Sequence, residues 1–305
     1  MAVRAFAQAP AAARGGPRGA APDRAAVSSC PRARPIRLGR TQPFATAEEP
    51  PAVSDPLRPR ASLRTAVVWE VLRDALDRRV KAAGPDGGVL DVLDTGGGSG
   101  HFAVPVAALG HRVTVVDPSP NALFALERRA AEAGVAERVR GVQGDAHGLF
   151  DVVDRGAYDV VLCHGVLEYV DDPAEGVRNV IEALRPAGTL SLLAAGLGGA
   201  VLARALAGHF TEARQVLTDP AGHWGAGDPV PRRFTAEQLT ELVTAAGLEA
   251  GAVHGVRVFA DLVPGVLLDA EPGAREALAQ LEAAAAALPA FHSVATQLHV
   301  LAERG

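Results

Sequence analysis

The chain contains the stretch LDTGGGSG at residues 93–100, where an apolar run ends at an acidic residue and passes into glycines. Residues 89–94 are short and apolar, which indicates a buried strand, and residues 100–109 follow as a helix. Glycine allows a tight turn and a close approach of the backbone to a ligand. The start of the following helix presents unpaired N–H groups. The stretch therefore predicts a strand, a ligand-binding loop and a helix.

The alternation of strand and helix extends well beyond this stretch. Further strands are predicted at residues 112–117, 139–143, 158–163 and 189–194, with helices at 63–83, 119–133 and 173–184. Beyond them we predict a helical insertion at 197–232, a helix at 235–247, closing strands at 248–258, a helix at 272–288 and a last strand at 294–302. Short connections between alternating elements are typical of a parallel sheet covered on both faces. The sequence thus predicts an α/β fold with a doubly wound, mostly parallel sheet.

Composition divides the chain into two parts. Residues 1–60 are rich in Ala, Arg and Pro without a sustained period, which predicts a disordered tail, and residues 61–305 carry the folded domain. The tail has ten arginines against four acidic residues, so the domain holds 20 basic and 31 acidic residues, a net charge of −11. An acidic domain is a poor electrostatic match to a polyanion such as RNA.

Several classes of protein are excluded by residue usage. The two cysteines form neither a disulfide framework nor a CxxC metal pair, and the histidines lack metal-ligand spacing. No apolar run reaches the ~18 residues that a membrane span needs. We therefore expect a cytoplasmic protein without a metal or a membrane anchor.

The glycine loop alone indicates only a nucleotide-like ligand. Residues 98–103 also fit the GxGxxA fingerprint of NAD-binding folds, so an NAD oxidoreductase is an alternative. The spacing of Asp94 from the glycines resembles the signature of S-adenosylmethionine (SAM) dependent methyltransferases more closely. Asp117 ends the second predicted strand, where a carboxylate can accept ribose hydroxyls, and Asp145 follows the third. These neighbours favour SAM over NAD.

Five runs resemble the tRNA 5-carboxymethoxyuridine methyltransferase family. They are residues 63–69, 92–98, 164–173, 184–186 and 255–261, and the resemblance covers roughly residues 60–300. The run at 255–261 is the most specific, because it lies outside the generic SAM-binding fold. The resemblance implies a class I methyltransferase, Rossmann-like fold, SAM as cofactor, and substrate-side elements at about 197–270.

The resemblance and the strand ends together define an expected cofactor site. Its residues are Arg64, Asp94, Gly96, Gly97, Gly98, Asp117, Asp145, Ala146, His147 and His164. By resemblance, Arg64 contacts the methionine carboxylate, Asp117 the ribose, and His164 the methionine part of SAM. Gly96 and Gly97 line the cofactor, while Ala146 and His147 flank the adenine. Arg64 and His164 also have non-functional interpretations. Arg64 can face solvent on its helix, and His164 can be a structural histidine after a buried strand.

The substrate side departs from the family pattern. Where the family has an aromatic residue and an asparagine after strand five, this chain has Ala195 and Gly196, and an expected arginine is Thr296. Residues 218–228 replace a lysine-rich stretch. Each change removes a polar or cationic group, so the acceptor is less well defined than the cofactor.

Arg257 and Arg232 are the candidates for binding a substrate anion, since arginine holds carboxylates through two parallel hydrogen bonds. A carboxylate acceptor is already ionised and needs no general base, so no catalytic residue is assigned. Arg257 can instead be a salt-bridging strand residue, and Arg232 and Arg233 can belong to a solvated loop. The leading function is methyl transfer to a carboxylate, on tRNA or on a small anionic molecule. The alternatives are a small-molecule O- or N-methyltransferase and a SAM-binding module without turnover.

Overall fold

The computed structural model describes residues 63–84 and 88–305. The strands are β1 Asp91–Thr95, β2 Arg112–Asp117, β3 Val139–Gln143, β4 Tyr158–His164, β5 Leu184–Ala195, β6 Leu248–Val256 and β7 Gln297–Arg304. They form one seven-stranded sheet in the order β3-β2-β1-β4-β5-β7-β6. Only β7 pairs antiparallel, with β5 and with β6, while β1 to β5 pair parallel to one another. The predicted doubly wound, mostly parallel sheet is confirmed.

Helices cover both faces of this sheet. They are α1 Ala66–Ala82, α2 Ala103–Ala108, α3 Pro120–Glu132, α4 Pro173–Glu182, α5 Leu197–Leu206, α6 Phe210–Thr218, α7 Ala236–Ala245, α8 Gly265–Ala270, α9 Ala274–Ala286 and α10 Pro289–His292. Buried residues of α1, α2 and α3 pack with β1, β2 and β4 in one apolar cluster. Buried residues of α4 and α7 pack against the opposite sides of the central strands in a second cluster. The pair α5 and α6 is the predicted helical insertion after β5.

Several helix starts have the caps that the sequence predicts. Ser119 accepts a hydrogen bond from the Ala122 N–H at 3.3 Å, with Pro120 in the first turn of α3. Thr235 and Gln238 form a reciprocal capping box at the start of α7. Such side chains satisfy N–H groups that have no partner within the helix.

Some boundaries differ from the prediction. Strand β5 begins at Leu184, and not at residue 189 as predicted. Residues 185–188 belong to the strand, and the pairing register with β4 shifts across them. Arg185 anchors this segment through ion pairs with Asp159 at 2.6 Å and Asp91 at 2.9 Å. The predicted helix at 272–288 is α9, with the short α8 and α10 on either side. The predicted tail at residues 1–60 lies outside the described residues.

The order of the strands reverses between β1 and β4, and this reversal determines where a ligand can bind. From β1 the strand order runs outward through β2 to β3 on one side, and through β4 to β5 on the other. In open α/β sheets, the crevice at such a switch point, beyond the carboxyl ends of the strands, is the usual ligand site. Within the described residues, no helix is long and apolar enough to cross a membrane.

Candidate active site

The loop after β1 depends on glycine for both conformation and space. Gly96 has φ 67°, a left-handed conformation that other residues rarely adopt. A Cβ at this position would also lie 2.6 Å from Cγ2 of Val166. At Gly100, with φ 79°, a Cβ would lie 2.3 Å from Cδ1 of Leu126. The loop can therefore pass between β1 and α2 only with glycine at these positions.

Asp94 lies beneath the loop, and only 2% of its surface is exposed. Gly97 makes room for it, since a Cβ on Gly97 would lie 2.5 Å from the Asp94 carboxylate. Burial, reinforced by the nearby charge of Asp117, raises the pKa of Asp94 to about 7. Gly97 thus supports the loop from behind and is not part of the wall of the cleft described below.

Asp117 stands at the carboxyl end of β2, facing the glycine loop. One carboxylate oxygen accepts the Gly98 N–H at 2.9 Å, and the other accepts the Ser119 N–H at 2.9 Å. The carboxylate is therefore fixed by two backbone donors from different elements. It lines the adjoining cleft, where its remaining lone pairs can accept hydroxyl groups.

A cleft of about 290 Å³ opens beside this loop, at the carboxyl ends of β1, β2 and β4. Its wall consists of Thr95, Gly96, Val116, Asp117, Pro118, Gly144, Asp145, Ala146, His147, Leu149, Gly165, Val166, Tyr169 and Val170. Most of the wall is apolar, and its polar groups converge at two places, Asp117 and the segment 145–147. An apolar slot with a fixed carboxylate on one side suits a nucleoside, whose base is flat and whose ribose carries two hydroxyls.

The segment after β3 forms one end of the cleft. The Asp145 carboxylate accepts the backbone N–H groups of His147 and Gly148, both at 2.9 Å. These bonds, with that from Gly148 the larger influence, hold the pKa of Asp145 below its usual value. The turn so formed exposes Ala146 and His147 to the cleft.

His164 ends β4 immediately before Gly165, which lines the cleft. Phe102 packs edge-on against the imidazole, with 4.7 Å between ring centroids. Desolvation lowers the pKa of His164 to about 3, so the ring is neutral. Its Nε2 makes a 2.8 Å hydrogen bond with the Ser191 hydroxyl on β5.

The carboxylate of Glu168, four residues after His164, holds the end of β5 by a hydrogen bond. Its Oε1 accepts the Ala195 N–H at 2.7 Å, at the point where β5 leaves the sheet. Only 4% of Glu168 is exposed, and burial raises the pKa of its carboxyl group. The contact ties the segment after β4 to the end of β5. This backbone hydrogen bond satisfies one of the two carboxylate oxygens of Glu168, Oε1.

A second polar cluster lies after β6, which ends at the same edge of the sheet as β1, β4 and β5. Asp261 pairs with both Arg257 and Arg64, the latter at 3.5 Å. Arg257 has φ 58°, an unusual conformation for a residue with a side chain. Glu282 of α9 stabilises the turn by accepting the N–H groups of residues 258, 259 and 260, at 3.0, 2.8 and 2.6 Å. A buried carboxylate thus holds the backbone that presents Arg257.

The structure separates Arg232 and Arg233 from the cleft. Arg232 lines a different depression, of about 370 Å³, between α4 and α7, and donates to the Asp171 carbonyl at 3.2 Å. Arg233 does not belong to a solvated loop: it is 5% exposed and pairs with Asp228 at 2.7 Å. Its guanidinium also lies 4.2 Å from the ring centre of Trp224. The solvated-loop interpretation of Arg233 was wrong, because it missed this ion pair.

The structure brings half of the expected cofactor residues into one cleft. Gly96, Asp117, Asp145, Ala146 and His147 line it. Asp94, Gly97 and Gly98 shape the loop behind it, His164 adjoins it, and Arg64 is paired with Asp261. The sequence did not identify Val116, Leu149 and Val166 as wall residues, because an apolar side chain near a strand end or in a connecting turn also fits the core.

The fold and the cleft define a class I SAM-dependent methyltransferase. Residues 93–190 match the family model described as a methyltransferase domain. The chain belongs to the SAM-dependent methyltransferases, and SAM is its methyl donor.

Individual relatives extend this similarity. A tRNA 5-carboxymethoxyuridine methyltransferase of Escherichia coli is 30% identical over 202 residues, which are 66% of this chain and 74% of the relative. A ubiquinone biosynthesis O-methyltransferase of Methylobacterium nodulans is 39% identical over 100 residues, which are 32% of this chain and 38% of the relative. A solved SAM-dependent methyltransferase structure from Mesorhizobium loti is 21% identical, covers 79% of this chain and all of its own, and has a TM-score of 0.49.

Proposed function

We propose that this enzyme transfers the methyl group of SAM to a carboxylate, and that the carboxylate belongs to 5-carboxymethoxyuridine in tRNA, in the cytoplasm. The similarity to the Escherichia coli tRNA enzyme supports this acceptor, because it covers 66% of the chain and so extends beyond the matched methyltransferase domain. The match to the ubiquinone enzyme covers only 32%.

The proposed roles of the cofactor residues follow from their places in the cleft. Asp117, held by two backbone donors, accepts the ribose hydroxyls. Ala146 and His147 flank the adenine at the far end, where Asp145 fixes their turn. The backbone at Gly96 admits the ligand closely because no side chain stands in the way.

One observation carries the carboxylate acceptor: the structure already holds a carboxylate between two guanidinium groups. Asp261 pairs with Arg257 and with Arg64, so both guanidinium groups lie within reach of one anion. We propose that Arg64 binds the methionine carboxylate of SAM and that Arg257 binds the acceptor carboxylate. Asp261 then acts as the shared counterion that orients both.

The chemistry requires little beyond this positioning. When bound, SAM would supply a methyl carbon on a sulfonium, to which the acceptor oxygen would bond in line while the carbon–sulfur bond breaks and the neutral thioether leaves. A carboxylate is ionised at neutral pH, so this chain needs only to hold it in line and to exclude water. Because a tRNA is far larger than the cleft, Arg232 is proposed to contact the acceptor outside it, from the depression between α4 and α7.

A small-molecule O- or N-methyltransferase is the second candidate. The net charge of −11 on residues 61–305 opposes tRNA binding, and Ala195, Gly196 and Thr296 replace polar or cationic groups of the tRNA family. The partial similarity to a ubiquinone biosynthesis O-methyltransferase points the same way.

Mass spectrometry of tRNA nucleosides separates the two candidates. In a strain that lacks this gene, the methyl ester of 5-carboxymethoxyuridine should disappear and the free acid should accumulate. Wild-type protein and Arg275→Ala should restore the ester, whereas Arg257→Ala should not. Arg275→Ala is the matched control because it also removes a guanidinium and an ion pair, here with Asp269, and neither residue lines the cleft. An unchanged ester level in the deletion strain would exclude the tRNA acceptor.

A further inference from the structure

A row of aligned residues that includes three histidines crosses the sheet next to the cleft. His164 on β4, Leu193 on β5, His299 on β7 and His254 on β6 are aligned in register. Ser191 stands two residues before Leu193 and so points to the same face. Its hydroxyl lies 2.8 Å from Nε2 of His164 and 2.8 Å from Nε2 of His299. One serine therefore connects two imidazoles from different strands.

This arrangement is unusual for the interior of a sheet. Ser191 and His299 have no exposed surface, and their neighbours on this face include the apolar residues Val68 and Val256. Buried polar groups are retained where they are hydrogen-bonded to one another. The serine satisfies both Nε2 atoms, so the three residues form one connected unit.

The number of protons limits how this unit can be arranged. Desolvation lowers the pKa of His164 to about 3 and that of His299 well below its usual value, so both rings are neutral. A neutral imidazole carries one N–H, and a hydroxyl has one proton. If both Nε2–H groups donated to Ser191, the buried hydroxyl proton would have no acceptor among its two bonded partners, so Ser191 accepts from one Nε2–H and donates to the other Nε2. It follows that His164 and His299 have opposite tautomers.

The Nδ1 atoms of the two rings indicate which histidine donates its proton to Ser191 and which one accepts. The Nδ1 atoms of His164 and His299 are both buried, and neither has a hydrogen-bond partner among the residues that the structure describes. One of them carries a proton and the other a lone pair, and an unpaired buried N–H is the rarer of the two in proteins. His299 is completely enclosed, whereas His164 is partly exposed and precedes the cleft residue Gly165. The N–H is thus better tolerated on His164, whose Nδ1 is itself buried in the ligand-free protein but whose ring adjoins the cleft.

We propose that His299, acting through Ser191, is a positioning residue that fixes His164 as the Nδ1–H tautomer and so presents a hydrogen-bond donor to the methionine part of SAM. His299 Nε2–H donates to Ser191, and Ser191 donates to His164 Nε2. This inference rests on the proposed cofactor role of His164. His254 lies 6.0 Å from His299 between ring centroids and is not part of the bonded chain.

Nitrogen-15 NMR of the histidine rings tests the proposal directly. The full-length, ligand-free protein is labelled on histidine, and the signals are assigned with single-histidine variants. At neutral pH we expect His164 to be protonated on Nδ1 and His299 on Nε2. The same tautomer on both rings, or the reverse assignment, would overturn the proposal. Since no cofactor or acceptor is present, this result is independent of the proposed function.

Variants then separate positioning from simple support of the fold. In His299→Phe, which keeps an aromatic ring beside His164 and removes the nitrogen bonded to Ser191, the His164 ring should become a mixture of tautomers. SAM affinity measured by calorimetry should fall by the inverse of the fraction that keeps Nδ1–H, about two- to fivefold for a fraction between one half and one fifth. Ser191→Ala should have the same effect, and Ser191→Thr, which keeps the hydroxyl, should not. Thr189→Val is the matched control, a buried hydroxyl lost two residues earlier on the same strand.

Two outcomes would contradict the positioning role. One is a His164 tautomer that stays fixed on Nδ1 in His299→Phe. The other is an equal loss of SAM affinity in Thr189→Val, which would show that any buried change on β5 has this effect. If His299→Phe does not fold, the comparison of Ser191→Ala with Ser191→Thr and the wild-type spectrum decides the matter. Loss of SAM binding in the wild-type protein would instead refute the proposed function.

Discussion

Replacing Asp94 by asparagine should stabilise the ligand-free protein at alkaline pH. Burial, helped by Asp117, raises the Asp94 pKa from 3.8 to about 7. The folded state therefore holds this proton more tightly than the unfolded chain does, and the free energy of unfolding falls as pH rises through the window from 3.8 to about 7. A shift of roughly three units corresponds to about 4 kcal/mol above that window. Asparagine has nearly the same shape and no charge, so the variant does not lose this stability when the pH rises.

Urea unfolding at pH 5, 6, 7 and 8 measures the effect. The free energy of unfolding of Asp94→Asn should exceed that of the wild type by up to about 4 kcal/mol at pH 8. This difference between the two proteins should shrink steadily towards pH 5. Asp145→Asn is the matched control, because backbone bonds from Gly148 and His147 lower the Asp145 pKa, so any difference should have the opposite sign. Parallel pH curves for Asp94→Asn and the wild type, or a gap that widens towards acid, would refute the assignment of a buried, proton-retaining carboxyl group.

Three further substitutions test other contacts. Asp117→Ala should weaken SAM binding more than tenfold in calorimetry, and unchanged affinity would show that the fixed carboxylate does not contact the ribose. Gly100→Ala should destabilise the fold by about 3 kcal/mol in urea, since its Cβ meets Leu126, whereas Gly134→Ala, with similar φ and open space, should lose only about 1 kcal/mol. Glu282→Ala leaves three N–H groups without an acceptor and should lower stability by about 3 kcal/mol; a thermal midpoint equal to that of the wild type would contradict this.

The sequence was a good guide to the parallel core of the sheet. Strands β1, β2 and β4 each contain a short apolar run that ends at a polar residue, so length and composition identify them, whereas β3 has only Val139 and Val142 as apolar residues. The start of β5 was missed because Arg185 and Pro186 look like a loop, whereas the segment is held by the pairing of Leu184 with Tyr158 and by the ion pairs of Arg185 with Asp91 and Asp159. Such pairs join residues far apart in the chain, which no local pattern records.

The site was predictable to the extent that it lies in one stretch of chain or at strand ends. Gly96, Asp117 and the segment 145–147 follow from the rule that ligands bind beyond the carboxyl ends of parallel strands. The bonds between His164, Ser191 and His299 could not be predicted, since they depend on which strands are neighbours and on register. Sequence reasoning assigned His299 no role, because a single histidine in an apolar strand carries no local signal.

The position of strand β7 has a consequence for how the protein is made. It comes last in the sequence, yet it lies between β5 and β6 in the sheet. While the chain is still being synthesised, β5 and β6 have no partner on their facing edges, and unpaired edges promote aggregation. Pairing between residues as distant as Ser191 and Leu301 also slows folding, because a long loop must close first. We therefore expect the insertion of β7 to be the slow event, so a nascent chain gains its complete sheet, and the His299 contact beside the cleft, only after β7 has been synthesised.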